Sequence, residues 1–115
     1  MTSEDLDPED AKIVTLARAT RARAGGDEGA AVRDTTGRTY TAASVTLPSL
    51  QLSALRLAVA MACSSGADGL EAAAVVSAGS TLDDTDVTVV REAGGVGVTV
   101  YLAGTDGAVV SSRTT

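Results

Sequence analysis

The stretch from Pro48 to Gly66 constrains the fold more than any other part of this chain, because it is a nearly continuous apolar segment between a proline and a glycine. Its leucine, alanine, valine and methionine side chains would cover most of the surface of a helix. Such a helix belongs inside a domain, packed against a sheet. Ser49 is its predicted N-cap, and Cys63 is predicted to be a small core residue rather than a reactive thiol.

Size and charge limit the classes of protein to which the chain can belong. It has 115 residues, which is enough for one core but not for a second domain. We expect residues 7–112 to form a single domain between flexible ends at residues 1–6 and 113–115. The formal net charge of −6 leaves no basic excess for binding nucleic acid. The apolar segment is too short to cross a membrane, and no secretory signal pattern opens the sequence, so we expect a cytoplasmic protein that binds neither nucleic acid nor membrane.

Helix and strand signals alternate along the rest of the chain. Asp7 stands before Pro8 and two acidic residues, which is the pattern of a helix N-terminus. Two β-like runs joined by Thr35, Thr36 and Gly37 predict a hairpin. This order predicts a three-layer α/β/α fold, in which helices cover both faces of a mixed five-stranded sheet. The predicted elements are a helix from Pro8 to about Ala24, strands at 29–34 and 38–45, the central helix at 48–66, a strand at 70–76, a short helix at 81–93, and strands at 96–102 and 108–112.

Some polar patterns have more than one explanation. Asp83, Asp84 and Asp86 could hold Mg²⁺ or Ca²⁺ through their oxygens, although helix capping is the preferred explanation. The glycine-rich run at residues 94–97 is a weak match to a phosphate-binding loop, because it follows a helix rather than a strand. A serine nucleophile would lack a general base nearby, since the chain contains no histidine.

Three sequence patterns occur along the chain in the same order as in one known enzyme family. The first is Gly-Ala-Ala-Val at residues 29–32, followed by Gly37 and by Thr-Tyr-Thr at residues 39–41. The second is Ser-Ala-Leu-Arg at residues 53–56, and the third is Val-Thr-Val-Tyr-Leu at residues 98–102. Together they resemble the hairpin, the Cys-Ala-Glu-Arg helix start and the Val-x-Tyr-Leu strand of the cytidine deaminase family. The resemblance covers roughly residues 10–110 and implies the fold of that family.

The residues that carry the family's chemistry differ in this chain. In the family, one Cys or His and two later Cys residues bind zinc, and a Glu two residues after the first ligand transfers protons. The resemblance places Ser53, Asp83 and Asp86 at the metal positions and Leu55 at the position of the Glu. A serine and two aspartates are poor ligands for zinc, and leucine cannot transfer a proton. We therefore expect neither a zinc cofactor nor hydrolytic deamination.

The resemblance also indicates positions for substrate binding and assembly. Ser44 and Thr46 match the family's ribose-binding Asn-x-Glu, and Arg56 matches an arginine at the subunit interface. The family assembles through the helix that matches Pro48–Gly66. These matches imply a homo-oligomer, a dimer or tetramer, that is a non-catalytic binding or scaffolding protein with an unidentified small-molecule ligand. The alternative is an active cytidine or nucleoside deaminase that uses a non-standard site or residues from a partner chain.

Overall fold

Three α-helices and seven β-strands make up residues 6–115, which are the residues that the computed structural model describes. Of the predicted flexible N-terminus, only Leu6 is among them. No helix within this range is long and apolar enough to cross a membrane. The elements are α1 (Pro8–Ala24), β1 (Glu28–Asp34), β2 (Thr39–Ala43), β3 (Val45–Leu47), β4 (Leu50–Leu52), α2 (Ala54–Ser64), β5 (Leu70–Ser77), α3 (Asp84–Gly94), β6 (Thr99–Ala103) and β7 (Val109–Thr114).

Five strands form one mixed sheet in the order β2-β1-β5-β6-β7. Strands β5 and β6 pair in parallel, and every other neighbouring pair in this sheet is antiparallel. Alternate residues of each strand point to opposite faces. Ala30 and Val32 of β1 therefore pack with α2 and α3, whereas Ala31 packs with α1. The predicted three-layer arrangement with helices on both faces of a five-stranded sheet is confirmed.

The central apolar segment is a hairpin followed by a helix, so the predicted helix over residues 48–66 was too long. Val45–Leu47 pairs with Leu50–Leu52 as a separate two-stranded sheet, with a tight turn between them. The alternation in Leu-Gln-Leu-Ser suits a strand better than a helix. Ser53 caps α2 by accepting a hydrogen bond from the Arg56 amide at 3.1 Å, so the prediction of Ser49 as the N-cap was wrong.

Other boundaries also differ from those predicted. Cys63 is exposed on α2 rather than in the core, because it lies on the face of α2 turned away from the sheet. Val96 precedes β6 and is 82% exposed. The last strand continues past Ser112 to Thr114, and the Thr115 amide donates to the Val98 carbonyl at 2.9 Å. Residues 113–115, expected to form a flexible end, are thus joined to the sheet by backbone hydrogen bonds.

Helix α1 is held against its face of the sheet partly by a polar cluster. Arg33 Nη2 donates to Asp10 Oδ1, and Arg33 Nε donates to Glu71 Oε2, both at 2.9 Å. The Tyr101 hydroxyl donates to Asp10 Oδ2 at 2.5 Å. Helix α1, β1, β5 and β6 each contribute one residue, so the cluster fixes the position of α1 across three strands.

The β1–β2 hairpin turns around a buried carboxylate. One oxygen of Asp34 accepts from the Thr36 amide, the Thr36 hydroxyl and the Arg38 amide at 2.7–3.0 Å. The other oxygen accepts from the Tyr40 hydroxyl at 3.0 Å. These hydrogen bonds lower the pKa of Asp34, and the one from the Thr36 hydroxyl contributes most. The predicted hairpin is therefore confirmed, with Asp34 as the residue that orders its turn.

Candidate functional site

A polar cleft of about 400 Å³ lies beside the N-terminus of α2. Its walls come from the start of β1, the β3–β4 hairpin, the first turn of α2 and the end of β5. The two predicted substrate positions, the first predicted metal position and Arg56 all line this one cleft. The residues that line the cleft include Glu28, Ser44, Thr46, Ser53, Arg56 and Ser77.

Ser53, Arg56 and Asp86 form a hydrogen-bonded group between the N-termini of α2 and α3. The Ser53 hydroxyl donates to Asp86 Oδ1 at 2.9 Å. Arg56 Nε lies 3.2 Å from Ser53 Oγ and 3.3 Å from Asp86 Oδ1. The Asp86 side chain is only 9% exposed, and burial raises its pKa although the hydrogen bond from Ser53 opposes that shift. The structure thus brings together two of the three predicted metal positions, with a guanidinium beside them.

The third predicted metal position, Asp83, serves as the N-cap of α3. Its Oδ1 accepts a hydrogen bond from the Thr85 amide at 2.7 Å, and the residue is exposed. This is the capping role preferred for the aspartates on sequence grounds. Within residues 6–115, no group of three His, Cys, Asp or Glu side chains is arranged to hold a metal ion.

Leu55, at the position of the family's glutamate, is completely buried. It packs in the apolar core with Ala58 and Val59 of the same helix and with residues of the sheet. It is not among the residues that line the polar cleft. An apolar side chain at this position therefore contributes to the core and supplies no group that could exchange a proton.

Glu28 is a cleft residue that sequence reasoning missed. It opens β1, and its Oε1 accepts from the Ala54 amide at 3.4 Å, which brings a carboxylate to the N-terminus of α2. Burial raises the pKa of Glu28, and the carboxylates of Asp86, Asp27 and Asp83 raise it further. The sequence carried no signal for this role, because an acidic residue at the start of a strand is common on protein surfaces.

The outer face of α2 carries apolar surface. One hollow of about 380 Å³ is lined by Tyr40, Leu57, Ala60 and Met61 among others. A second, of about 290 Å³, lies between α2 and α3 and includes Cys63. Met61 itself is 39% exposed. The predicted interface helix therefore presents apolar side chains on the side away from the sheet.

Comparison with known proteins identifies the family. The chain's fold is similar to that of cytidine deaminase from Burkholderia pseudomallei, with a TM-score of 0.78, 23% identity and 90% of each chain covered. Cytidine deaminase from Mycobacterium leprae gives a TM-score of 0.71, 19% identity and the same coverage. That from Mycobacterium tuberculosis gives 0.62 and 26% identity, over 75% of this chain and 81% of the other. No curated protein sequence matches the chain. Residues 6–107 match the family model described as cytidine deaminase-like, and the chain therefore belongs to the cytidine deaminase-like family.

Proposed function

We propose that this chain is a cytidine deaminase-like protein without zinc-dependent deaminase activity, which acts as a binding or scaffolding homo-oligomer in the cytoplasm. The observation that carries the proposal is the group formed by Ser53, Arg56 and Asp86. Their polar atoms bind one another at the position where the family's chemistry would require open metal ligands.

The donor set does not suit zinc. Tetrahedral zinc sites use Cys thiolates and His imidazoles, whereas these positions offer one hydroxyl and two carboxylates. Asp83 Oδ1 already accepts a hydrogen bond from the Thr85 amide, and Asp86 Oδ1 accepts one from the Ser53 hydroxyl. These contacts support the absence of a zinc cofactor.

The cleft itself supports a binding role. Hydroxyl groups of Ser44, Thr46, Ser53 and Ser77 line it, with the Glu28 carboxylate on one wall. Such a lining favours a small polar ligand held by hydrogen bonds, since several donors and acceptors converge on one space. The apolar outer face of α2 supports self-association, because burial of such surface is the usual driving force of assembly.

An alternative proposal keeps catalysis at the same cleft. The observation that favours it is Glu28, a carboxyl group that lines the cleft and whose pKa is raised by burial. A raised pKa favours a carboxyl as a general acid–base catalyst, because the group holds its proton to higher pH than an exposed carboxyl does. In this alternative Glu28, or a residue of a partner chain, takes the role that Leu55 cannot fill.

One experiment distinguishes the two proposals, because they predict different metal contents and activities. The protein is purified after growth with added zinc, its metal content is measured by mass spectrometry, and cytidine is assayed for conversion to uridine. We expect no stoichiometric zinc and no turnover, together with a dimer or tetramer in light scattering. Turnover that the Glu28→Gln variant loses would support the alternative, and about one zinc per chain would contradict the primary proposal.

A further inference from the structure

Two helix N-termini meet at the edge of the cleft and are connected through polar side chains. Ser53 is the N-cap of α2, and Asp86 lies in the first turn of α3. Arg56, in the first turn of α2, places its Nε within 3.3 Å of both Ser53 Oγ and Asp86 Oδ1. The backbone amide of Arg56 also donates to Ser53 Oγ at 3.1 Å.

We propose that the Arg56–Asp86 ion pair, assisted by Ser53, is a clip that joins α2 to α3 in place of a metal ion. In the family that this chain resembles, zinc is bound by residues of both helices, so the metal joins them. Here the same two helix starts are joined by one cation and one anion from the chain itself. This proposal rests on the absence of zinc proposed above.

The charges explain why Arg56 is needed for this link. Asp86 is 9% exposed in its side chain, and a carboxylate removed from water is unstable without a counter-charge. The neighbouring carboxylate of Asp83 adds repulsion. Arg56 is 39% exposed, so its guanidinium keeps part of its hydration while it neutralises Asp86. The helix dipoles alone supply only a partial positive charge at each N-terminus.

A double-mutant cycle tests the clip. The single variants Arg56→Met and Asp86→Asn and the double variant are unfolded in urea at neutral pH, in low and in high salt. We expect Arg56→Met to raise the unfolding equilibrium constant by about threefold or more in the parent background but far less when Asp86 is already Asn. The coupling should shrink in high salt, because ions screen the partly exposed guanidinium. Additive effects of the two changes would overturn the proposal.

The chain offers a matched control pair. Arg113 of β7 and Asp84 of α3 also form an ion pair, but both side chains are well exposed. The cycle of Arg113→Met with Asp84→Asn should therefore show coupling near zero. Equal coupling in the two cycles would mean that the Arg56–Asp86 pair is an ordinary surface contact and would overturn the clip.

The effect of zinc on the melting temperature of the parent protein separates this proposal from the proposed function. The parent melting temperature should be the same with added zinc and with a chelator. A parent that zinc stabilises would contradict both proposals. If zinc leaves the parent melting temperature unchanged but the Arg56 and Asp86 substitutions have additive effects on the unfolding free energy, the clip alone is contradicted.

Discussion

Gly29 lies directly beneath Ala17 of α1, so close that a Cβ on Gly29 would stand 2.2 Å from the Ala17 carbonyl oxygen. The same Cβ would be 2.7 Å from the Arg21 amide nitrogen. Both contacts are with backbone, which cannot rotate away. The absence of a side chain at Gly29 is therefore what allows α1 to pack on β1.

Gly29→Ala should destabilise the protein by roughly 1–3 kcal/mol or more, because α1 must move away from the sheet. Gly26→Ala is the matched control: its Cβ would meet nothing nearer than Ser44 Oγ at 3.4 Å, so we expect a change below about 1 kcal/mol. Urea unfolding measures both. Equal stabilities of the two variants would show that the close approach of α1 is not required.

Leu55→Glu tests whether the family's glutamate position still reaches a polar site. Leu55 is completely buried among apolar side chains, so a carboxylate there would lack partners. We expect a loss of about 3–5 kcal/mol in unfolding free energy. Ala19→Glu, at an exposed position of α1, is the control and should change it by less than about 0.5 kcal/mol. A Leu55→Glu protein as stable as the parent would mean that the side chain turns into the cleft.

Asp83 can be tested as a helix cap rather than a metal ligand. Asp83→Ala removes the acceptor for the Thr85 amide and should cost about 1 kcal/mol in thermal or urea unfolding. Asp83→Ser retains a capping oxygen and should recover most of that loss, although it removes the carboxylate. If serine were as damaging as alanine, the charge of Asp83 rather than its cap would be the important property.

Alkaline pH should weaken the attachment of α1 through Tyr101. Burial and the hydrogen bond to Asp10 raise the pKa of Tyr101 to about 12, whereas an unfolded tyrosine titrates near pH 10. The folded state thus holds the proton more tightly, so this stability is full below about pH 10 and is lost as the pH rises towards 12.

The Tyr101→Phe variant provides the comparison for that pH range. It should be less stable than the parent at neutral pH and should show a shallower loss of unfolding free energy above about pH 10. The chain has two tyrosines and no tryptophan, so phenolate absorbance can follow Tyr101 by difference from the variant, which keeps Tyr40. Parallel stability curves for parent and variant above pH 10 would contradict the assignment.

Local sequence signals predicted most of the layers but not the contacts between them. Strand β5 and the hairpin turn at Gly37 are each specified by residues adjacent in the sequence, and both were predicted correctly. The β3–β4 hairpin was missed because Leu50 and Leu52 fit a buried helix and an exposed strand about equally well. Tertiary pairing with Val45–Leu47 decided between them.

For the candidate site, too, the sequence indicated residues close together in the chain but not a contact between distant elements. The resemblance indicated Ser44, Thr46, Ser53 and Arg56 by their positions relative to the start of α2, and all four line one cleft, while their roles there stay a prediction. Glu28 was missed because its role depends on the Ala54 amide, 26 residues later in the chain. Pairings over such distances leave no periodic pattern in a single sequence.

Asp10 has its two carboxylate oxygens bound by residues that leave the ribosome at very different times. Arg33 follows it closely, but Tyr101 is made 91 residues after it. Helix α1 is the first described element to be synthesised, yet its attachment is complete only when β6 has emerged. Until β6 is made, part of the apolar face of α1 therefore stays uncovered, and chaperones or a neighbouring nascent chain can bind it. Helix α1 can dock on β1, β2 and β5 before β6 is made, and Tyr101 completes its attachment afterwards.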